Sequence, residues 1–407
     1  MLILHARSVL SAGSPALPDG AVSVTQDRLA ACGPYSQLRR QFPDAEVIDL
    51  NNCVLLPGLV NAHTHLELTP LKNRISYQGD FFDWVARLSA ARRQIEGDLD
   101  TILTDAVRQC LKAGVTTVGD ICFRHRAWRH LARQSIRKVC FAEVFGITAH
   151  PDAPGPYLEK CIAETQINPL LSLGLSPHAP YSAGPRVYQV AAQLAARDRL
   201  PLTTHLAETP DEVEFLTTGA GPCLDYLKLI HRWDGSFRCP RRSPVEYFLS
   251  LDLAHQPFLL AHVNYLNDDE LHALSQTPHS VAYCPRSHQF FGHPQHPFQR
   301  LLAAGVNVCL GTDSLASNQT LSILDEIRFL HRHYPDFPAA DLLKMATINA
   351  ALALGLKDVG LIAPDYQADL IAMPIKQTPD DPLTDILHSD TEPVFTMVAG
   401  RVLHQIL

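Results

Sequence analysis

The sequence predicts an α/β fold: a TIM-like (β/α)8 barrel carrying a small β-sandwich domain built from both chain termini. Three observations point there. Eight apolar, strand-like runs alternate with helical stretches through the middle of the chain, which favours a parallel barrel over an open sheet. Several histidines and carboxylates fall at the C-terminal ends of these runs, where such barrels carry their chemistry. The two chain ends share a different character, short strands broken by turns. With 407 residues, there is room for one large barrel and an accessory domain.

Residues 1–56 read as short strands at 2–4, 21–24 and 47–50, with Gly20 and Gly33 as breaks. Residues 54–60 read as the first barrel strand. The other seven are expected at 115–118, 139–145, 171–175, 202–204, 258–261, 280–283 and 306–310. Helices are expected at 101–113, 187–197 and 341–354 among the connections. Residues 219–244, rich in Pro, Gly and Arg, read as a long irregular loop near the mouth of the site. Past 362, residues 368–373 and 394–398 are strand-like, and Ala399-Gly400-Arg401 suggests a hairpin turn. The expected division is 1–56 with 362–407 for the sandwich and 57–361 for the barrel.

Composition removes several function classes. The net charge of −8 leaves no basic excess to neutralise phosphates, so nucleic acid is not an expected partner. The Arg-rich stretch 124–133 is read as a solvated helix face. No apolar run reaches the length of a membrane span, and the first residues are too short for a secretory h-region. Ten cysteines without a C-x-x-C pair, mostly inside apolar runs, suit a reducing compartment. A cytoplasmic location is expected.

The chemistry begins at His63 and His65. Positions two apart in an extended segment face the same way, so two imidazoles at a strand end can share one metal ion. His205 ends the run 201–205, and Glu208 follows three residues later. A carboxylate beside a metal ligand is placed for proton transfer; it also suits the start of a helix, whose dipole favours an acid. His262 closes 258–262. Asp313 closes 306–313, where an acid is costly unless paired or ligating; the alternative is an N-cap. His178, between Pro177 and Pro180, sits in a stiff extended loop that suits ligand contact, with a surface loop histidine as the alternative. Phe81 and Trp84, with Tyr181, are candidates for a stacking wall, although a spacing of three also makes a helix packing stripe.

As a set these residues resemble the amidohydrolase superfamily over nearly the whole chain. Residues 57–65 (PGLVNAHTH) are similar to its first-strand motif, His205-Leu206-Ala207-Glu208 to the H-x-x-E of its mononuclear deaminase branch, and Gly311-Thr312-Asp313-Ser314 to its eighth-strand aspartate motif. The resemblance implies a divalent metal held by His63, His65, His205 and Asp313, with Glu208, His262 and Asp313 handling protons. Zinc is the expected ion, with iron or manganese as alternatives. No Lys stands near the end of the fourth strand to bridge two metals, so one metal is expected; Glu143, in the third strand, leaves a binuclear centre open.

Within the superfamily, Asn61 to Thr69 with Phe81 and Trp84 is similar to the aminodeoxyfutalosine deaminases. Ser176 to Tyr181 is shared in style with the methylthioadenosine and S-adenosylhomocysteine deaminases. The implied activity is hydrolytic deamination of an aminated purine-type nucleoside, with His178 and Glu67 placed for ribose hydroxyls. Cys284-Pro285-Arg286-Ser287-His288 departs from the common C-P-x-S-N pattern at its last residue, which makes His288 a candidate substrate contact at the pocket border. Guanine, cytosine and chlorotriazine hydrolases, and cyclic-amide hydrolases, are the alternatives. A homodimer is common in the family.

Overall fold

The computed structural model describes residues 1–95, 97–147, 154–251, 253, 256–375 and 381–406, and for residue 124 the backbone alone. Eight parallel strands form one sheet: Leu59–Thr64, Val115–Cys122, Arg137–Val144, Leu171–Pro177, Leu202–Leu206, Phe258–His262, Ser280–Tyr283 and Asn307–Leu310, called barrel strands one to eight below. Each pairs with its predecessor in parallel. Beyond the regular ladder, strands eight and one meet through a parallel bridge between Asp313 and Thr64. There the His63 carbonyl accepts from the Thr312 and Asp313 N–H groups, each at 3.1 Å. The barrel is filled by side chains: Val60, Ala62, Ile121, Val139, Phe141, Leu259, Ala282 and Cys309 form one buried cluster, which Ala350 and Leu354 join.

All eight expected barrel strands are present, with one correction. The apolar run 54–60 is not a single strand. Cys53–Pro57 belongs to a second sheet, pairing with Leu370–Pro374, and the first barrel strand begins at Leu59. Gly58 is the crossing point. A Cβ there would lie 2.1 Å from the Thr116 hydroxyl oxygen, so only glycine allows this approach. An unbroken apolar run serves two cores at once, and hydrophobicity alone does not reveal the switch.

The second sheet has eight strands drawn from both chain ends. The expected hairpin is present: Phe395–Val398 pairs antiparallel with Arg401–Gln405. Ala399 and Gly400 both have positive φ, 47° and 74°, as a tight primed turn requires. Two further expectations change. The helix at 341–354 is two helices, Ala339–Met345 and Ile348–Ala353, because the Ala346 carbonyl is taken by the Val60 N–H at 2.8 Å. The loop at 219–244 holds a helix, Pro222–Leu229, whose Tyr226 meets Phe82 with ring centroids 5.4 Å apart. Among the described residues, no helix is long and apolar enough to cross a membrane.

Candidate active site

Barrel strands one, five and six and the segment after strand eight bring His63, His65, His205, His262 and Asp313 together. The Asn61 side chain donates to Thr312 Oγ1 at 2.7 Å and accepts from the Thr312 N–H at 3.1 Å. Thr64 Oγ1 donates to the Asp313 carbonyl at 3.0 Å. These bonds lock the end of strand one to Asp313. His63 Nε2 and His65 Nε2 then lie 3.8 and 3.5 Å from Asp313 Oδ1. The ring centroid of His63 is 5.2 Å from His65, 4.9 Å from His205 and 5.4 Å from His262.

Three groups have donor atoms lying within 4.8 Å of one another: His63, His65 and His205; His63, His262 and Asp313; and Glu143, His178 and His205. Both ring nitrogens of His63 are buried without a hydrogen-bond partner. Unsatisfied polar atoms are costly in a protein interior, and a cation is the natural partner for bare imidazole lone pairs. The His205 Nδ1–H donates to the His178 carbonyl at 2.9 Å. That fixes the tautomer and leaves its Nε2 lone pair free, the outer-shell arrangement expected of a metal-binding histidine. Burial, reinforced by the neighbouring imidazoles, pushes His63 and His65 well below the ordinary histidine range, so both stay neutral and able to ligate. The donor set fits one divalent cation.

Asp313 is not an N-cap; Ser322 caps the next helix. Its Oδ2 instead accepts from Ser317 Oγ at 2.7 Å and Ser287 Oγ at 2.9 Å, leaving Oδ1 toward the imidazoles. Burial pushes the Asp313 carboxyl up, and the two hydroxyls hold it back. His262 adopts φ 76°. Its carbonyl accepts from His296 Nε2 at 2.7 Å, and its own Nε2 is buried 3.5 Å from Glu208 Oε1. Glu208 is 7 % exposed. Burial, then the charges of Asp313 and Glu212, push its carboxyl well above the usual range.

The remaining candidates stand around this centre. The ring of His178 lies 4.9 Å from that of His205; its Nδ1 meets Ser182 Oγ at 2.5 Å and its Nε2 is 3.9 Å from Glu143 Oε1. Glu67 lies 3.6 Å from Arg92, and burial pushes it up to about 7. His288 is buried with Nε2 unpartnered. Its ring faces His293 and Tyr283, not the four-imidazole cluster. Phe81 and Trp84 are buried at the start of the helix Phe81–Arg93 and both pack on Phe291, as a packing stripe does. Tyr181 meets Phe82 and His178 edge-on.

Sequence reasoning missed the outer partners. Ser287 lies within the Cys284–His288 motif and Ser317 four residues beyond Asp313, and neither residue type by itself points to Asp313. Asp120, whose carboxylate accepts from the Leu66 N–H at 2.8 Å, and Glu212, four residues after Glu208, were passed over as well. Only spacing pointed to Glu212.

A model of the amidohydrolase family matches residues 54–403. The 5-methylthioadenosine/S-adenosylhomocysteine deaminase of Pelotomaculum thermopropionicum is 28 % identical over 411 residues, covering 95 % of this chain and 88 % of its own. The aminodeoxyfutalosine deaminase of Deinococcus radiodurans is 31 % identical over 352 residues, covering 83 % and 81 %. Among solved structures, Helicobacter pylori aminofutalosine deaminase in complex with methylthio-coformycin has a TM-score of 0.89 at 24 % identity, covering 99 % of this chain and 100 % of that one. An adenosine deaminase from Xanthomonas campestris with bound zinc has a TM-score of 0.83 at 23 % identity, covering 99 % and 93 %. These two likenesses establish the fold.

Proposed function

The chain belongs to the amidohydrolase family, and we propose that it is a metal-dependent hydrolytic deaminase of an aminated purine-type nucleoside, an adenosine derivative or aminodeoxyfutalosine, releasing ammonia. The deaminase relatives support this reading. The observation that carries it is the placement of buried Glu208 3.5 Å from His262 Nε2, beside the imidazole–Asp313 cluster.

His63, His65, His205 and Asp313 would hold the metal, taken as zinc. When bound, zinc supplies Lewis acidity that makes hydroxide available near neutral pH. Asp313 and His262 orient the attacking water and accept its proton. Glu208 donates its proton to a ring nitrogen, which makes the amine-bearing carbon electrophilic. His262 faces the oxygen as negative charge develops there. Proton return to the exocyclic nitrogen breaks the C–N bond, and ammonia leaves. His178 and Glu67, on the side of strands one to four, take sugar hydroxyls, and His288 borders the far rim. All ten cysteines are free, in keeping with a reducing cytoplasm.

The test is ammonia release across adenosine, methylthioadenosine, S-adenosylhomocysteine, aminodeoxyfutalosine, guanine, cytosine and a chlorotriazine. Turnover of one or more of the first four is expected. Turnover confined to the last three, or none at all with metal bound, overturns the reading.

A further inference from the structure

Glu212 is 0 % exposed and lies on the helix Pro210–Thr218, one turn beyond Glu208. Among the described residues its carboxylate meets only backbone donors. Oε2 accepts from the Glu208 N–H at 2.9 Å, and Oε1 has no partner. A buried carboxylate without a cation is expensive; Glu212 stands at the N3 position of a helix capped by Thr209, where a capping-box acid takes the N–H of the cap residue, but here it takes that of Glu208. The peptide it grips is unusual. Ala207 has φ 49°, a left-handed backbone that side-chain-bearing residues rarely adopt. The opposite side of this turn is held by Asn264, whose N–H donates to the Ala207 carbonyl and whose Nδ2 donates to the Glu208 carbonyl, both at 2.9 Å. Glu208 is thus clamped through its N–H from one side and its carbonyl from the other. This turn directs its side chain at His262.

Resting on the deaminase reading, we propose that Glu212 is a positioning residue: its carboxyl group pins the Glu208 N–H and so fixes where Glu208 delivers its proton. Oε2 can accept the Glu208 N–H whether Glu212 is neutral or ionised, so the bond that holds this strained turn does not depend on the charge. Burial pushes Glu212 up to about 8, against the N–H donors that hold it down. Positioning errors of about 1 Å cost on the order of 100-fold in rate.

The test compares Glu212→Leu with Glu212→Gln, whose side-chain carbonyl can still accept from the Glu208 N–H. Wild-type ammonia release on the best nucleoside comes first; without it the deaminase reading falls, and this proposal with it. Given wild-type turnover, Glu212→Leu is expected to lower kcat about 100-fold while KM and metal content stay near wild type. Glu212→Gln is expected to recover most of that loss. A Leu variant with near-wild-type kcat overturns the proposal alone. So does loss of metal and KM together with kcat, or a Gln variant no better than Leu. Should Glu212→Leu not fold, Asn264→Ala, which frees the Glu208 carbonyl, is expected to lower kcat without raising KM; unchanged kcat there overturns the clamp.

Discussion

Removing the hydroxyl of Ser317 tests whether Asp313 works as an oriented metal ligand. Asp313 Oδ2 accepts from Ser317 Oγ at 2.7 Å and Ser287 Oγ at 2.9 Å, all of them buried. A hydrogen bond to a charged acceptor contributes about 1.5–3 kcal/mol. Loss of an outer-shell partner typically weakens metal binding about 10–100-fold, or about 1.4–2.8 kcal/mol at 1.4 kcal/mol per decade, so the two routes agree. The two serines also touch, Oγ to Oγ at 2.9 Å. Ser287 has a single hydroxyl proton to share between Ser317 and Asp313, and in Ser317→Ala that proton is released entirely to Asp313. The single variant should therefore sit at the low end, about tenfold weaker, and Ser287→Ala/Ser317→Ala at about 100-fold. Zinc competition against a chromogenic chelator, starting from metal-free protein, reads both values. A double variant that holds zinc within about twofold of wild type refutes the reasoning, because Asp313 then either does not ligate or needs no orienting partner.

Other consequences are equally direct. Glu208→Gln should lose about 100- to 10,000-fold in kcat while elemental analysis still finds wild-type metal content; near-normal kcat rejects its role as proton donor. Glu326 is 0 % exposed and burial pushes it up from 4.5 to about 8, against the opposing Asn318 and Arg286 N–H bonds. The folded chain keeps a proton there that the unfolded chain releases, so this group costs stability as pH rises from about 4.5 to about 8. Glu326→Gln should then gain in Tm over wild type between about pH 5 and about pH 8 by calorimetry, and a gap independent of pH contradicts this. Arg137 joins the barrel to the second sheet through a buried fork to Asp369, 2.7 and 3.1 Å, and a bond to Gln367 at 2.7 Å. Arg137→Met strands Asp369 and should cost about 3–5 kcal/mol in denaturant unfolding; a loss under about 1 kcal/mol denies that the pair holds the two sheets together.

Much of the frame could be read from residue patterns, because its causes are local. Eight apolar runs report eight buried strands, and the i, i+2 spacing of His63 and His65 reports their shared direction. Asp313 stood out as an acid at the end of an apolar run, where its desolvation had to be met. The rest depends on contacts distant in sequence. Gly58 separates two sheets because Thr116, on another strand, leaves no room for a Cβ; the Pro57-Gly58 pair is a break signal but does not say that two different sheets meet there. The 341–354 helix breaks because Val60 claims a carbonyl. Ser287 meets Asp313 only after strands seven and eight are laid side by side, whereas Ser317 stands four residues beyond Asp313. Phe81 and Trp84 show the same limit: a spacing of three is equally a stacking wall and a packing stripe, and the partner Phe291 lies about 200 residues away.

The most direct test of the central claim is a crystal structure of the zinc-loaded protein with anomalous data at the zinc edge. One anomalous peak per chain is predicted, about 2.0–2.2 Å from a nitrogen of each of His63, His65 and His205 and from an Asp313 carboxylate oxygen. A peak that leaves Asp313 or any of these histidines unligated, a second peak at Glu143 and His178, or no peak among them contradicts it.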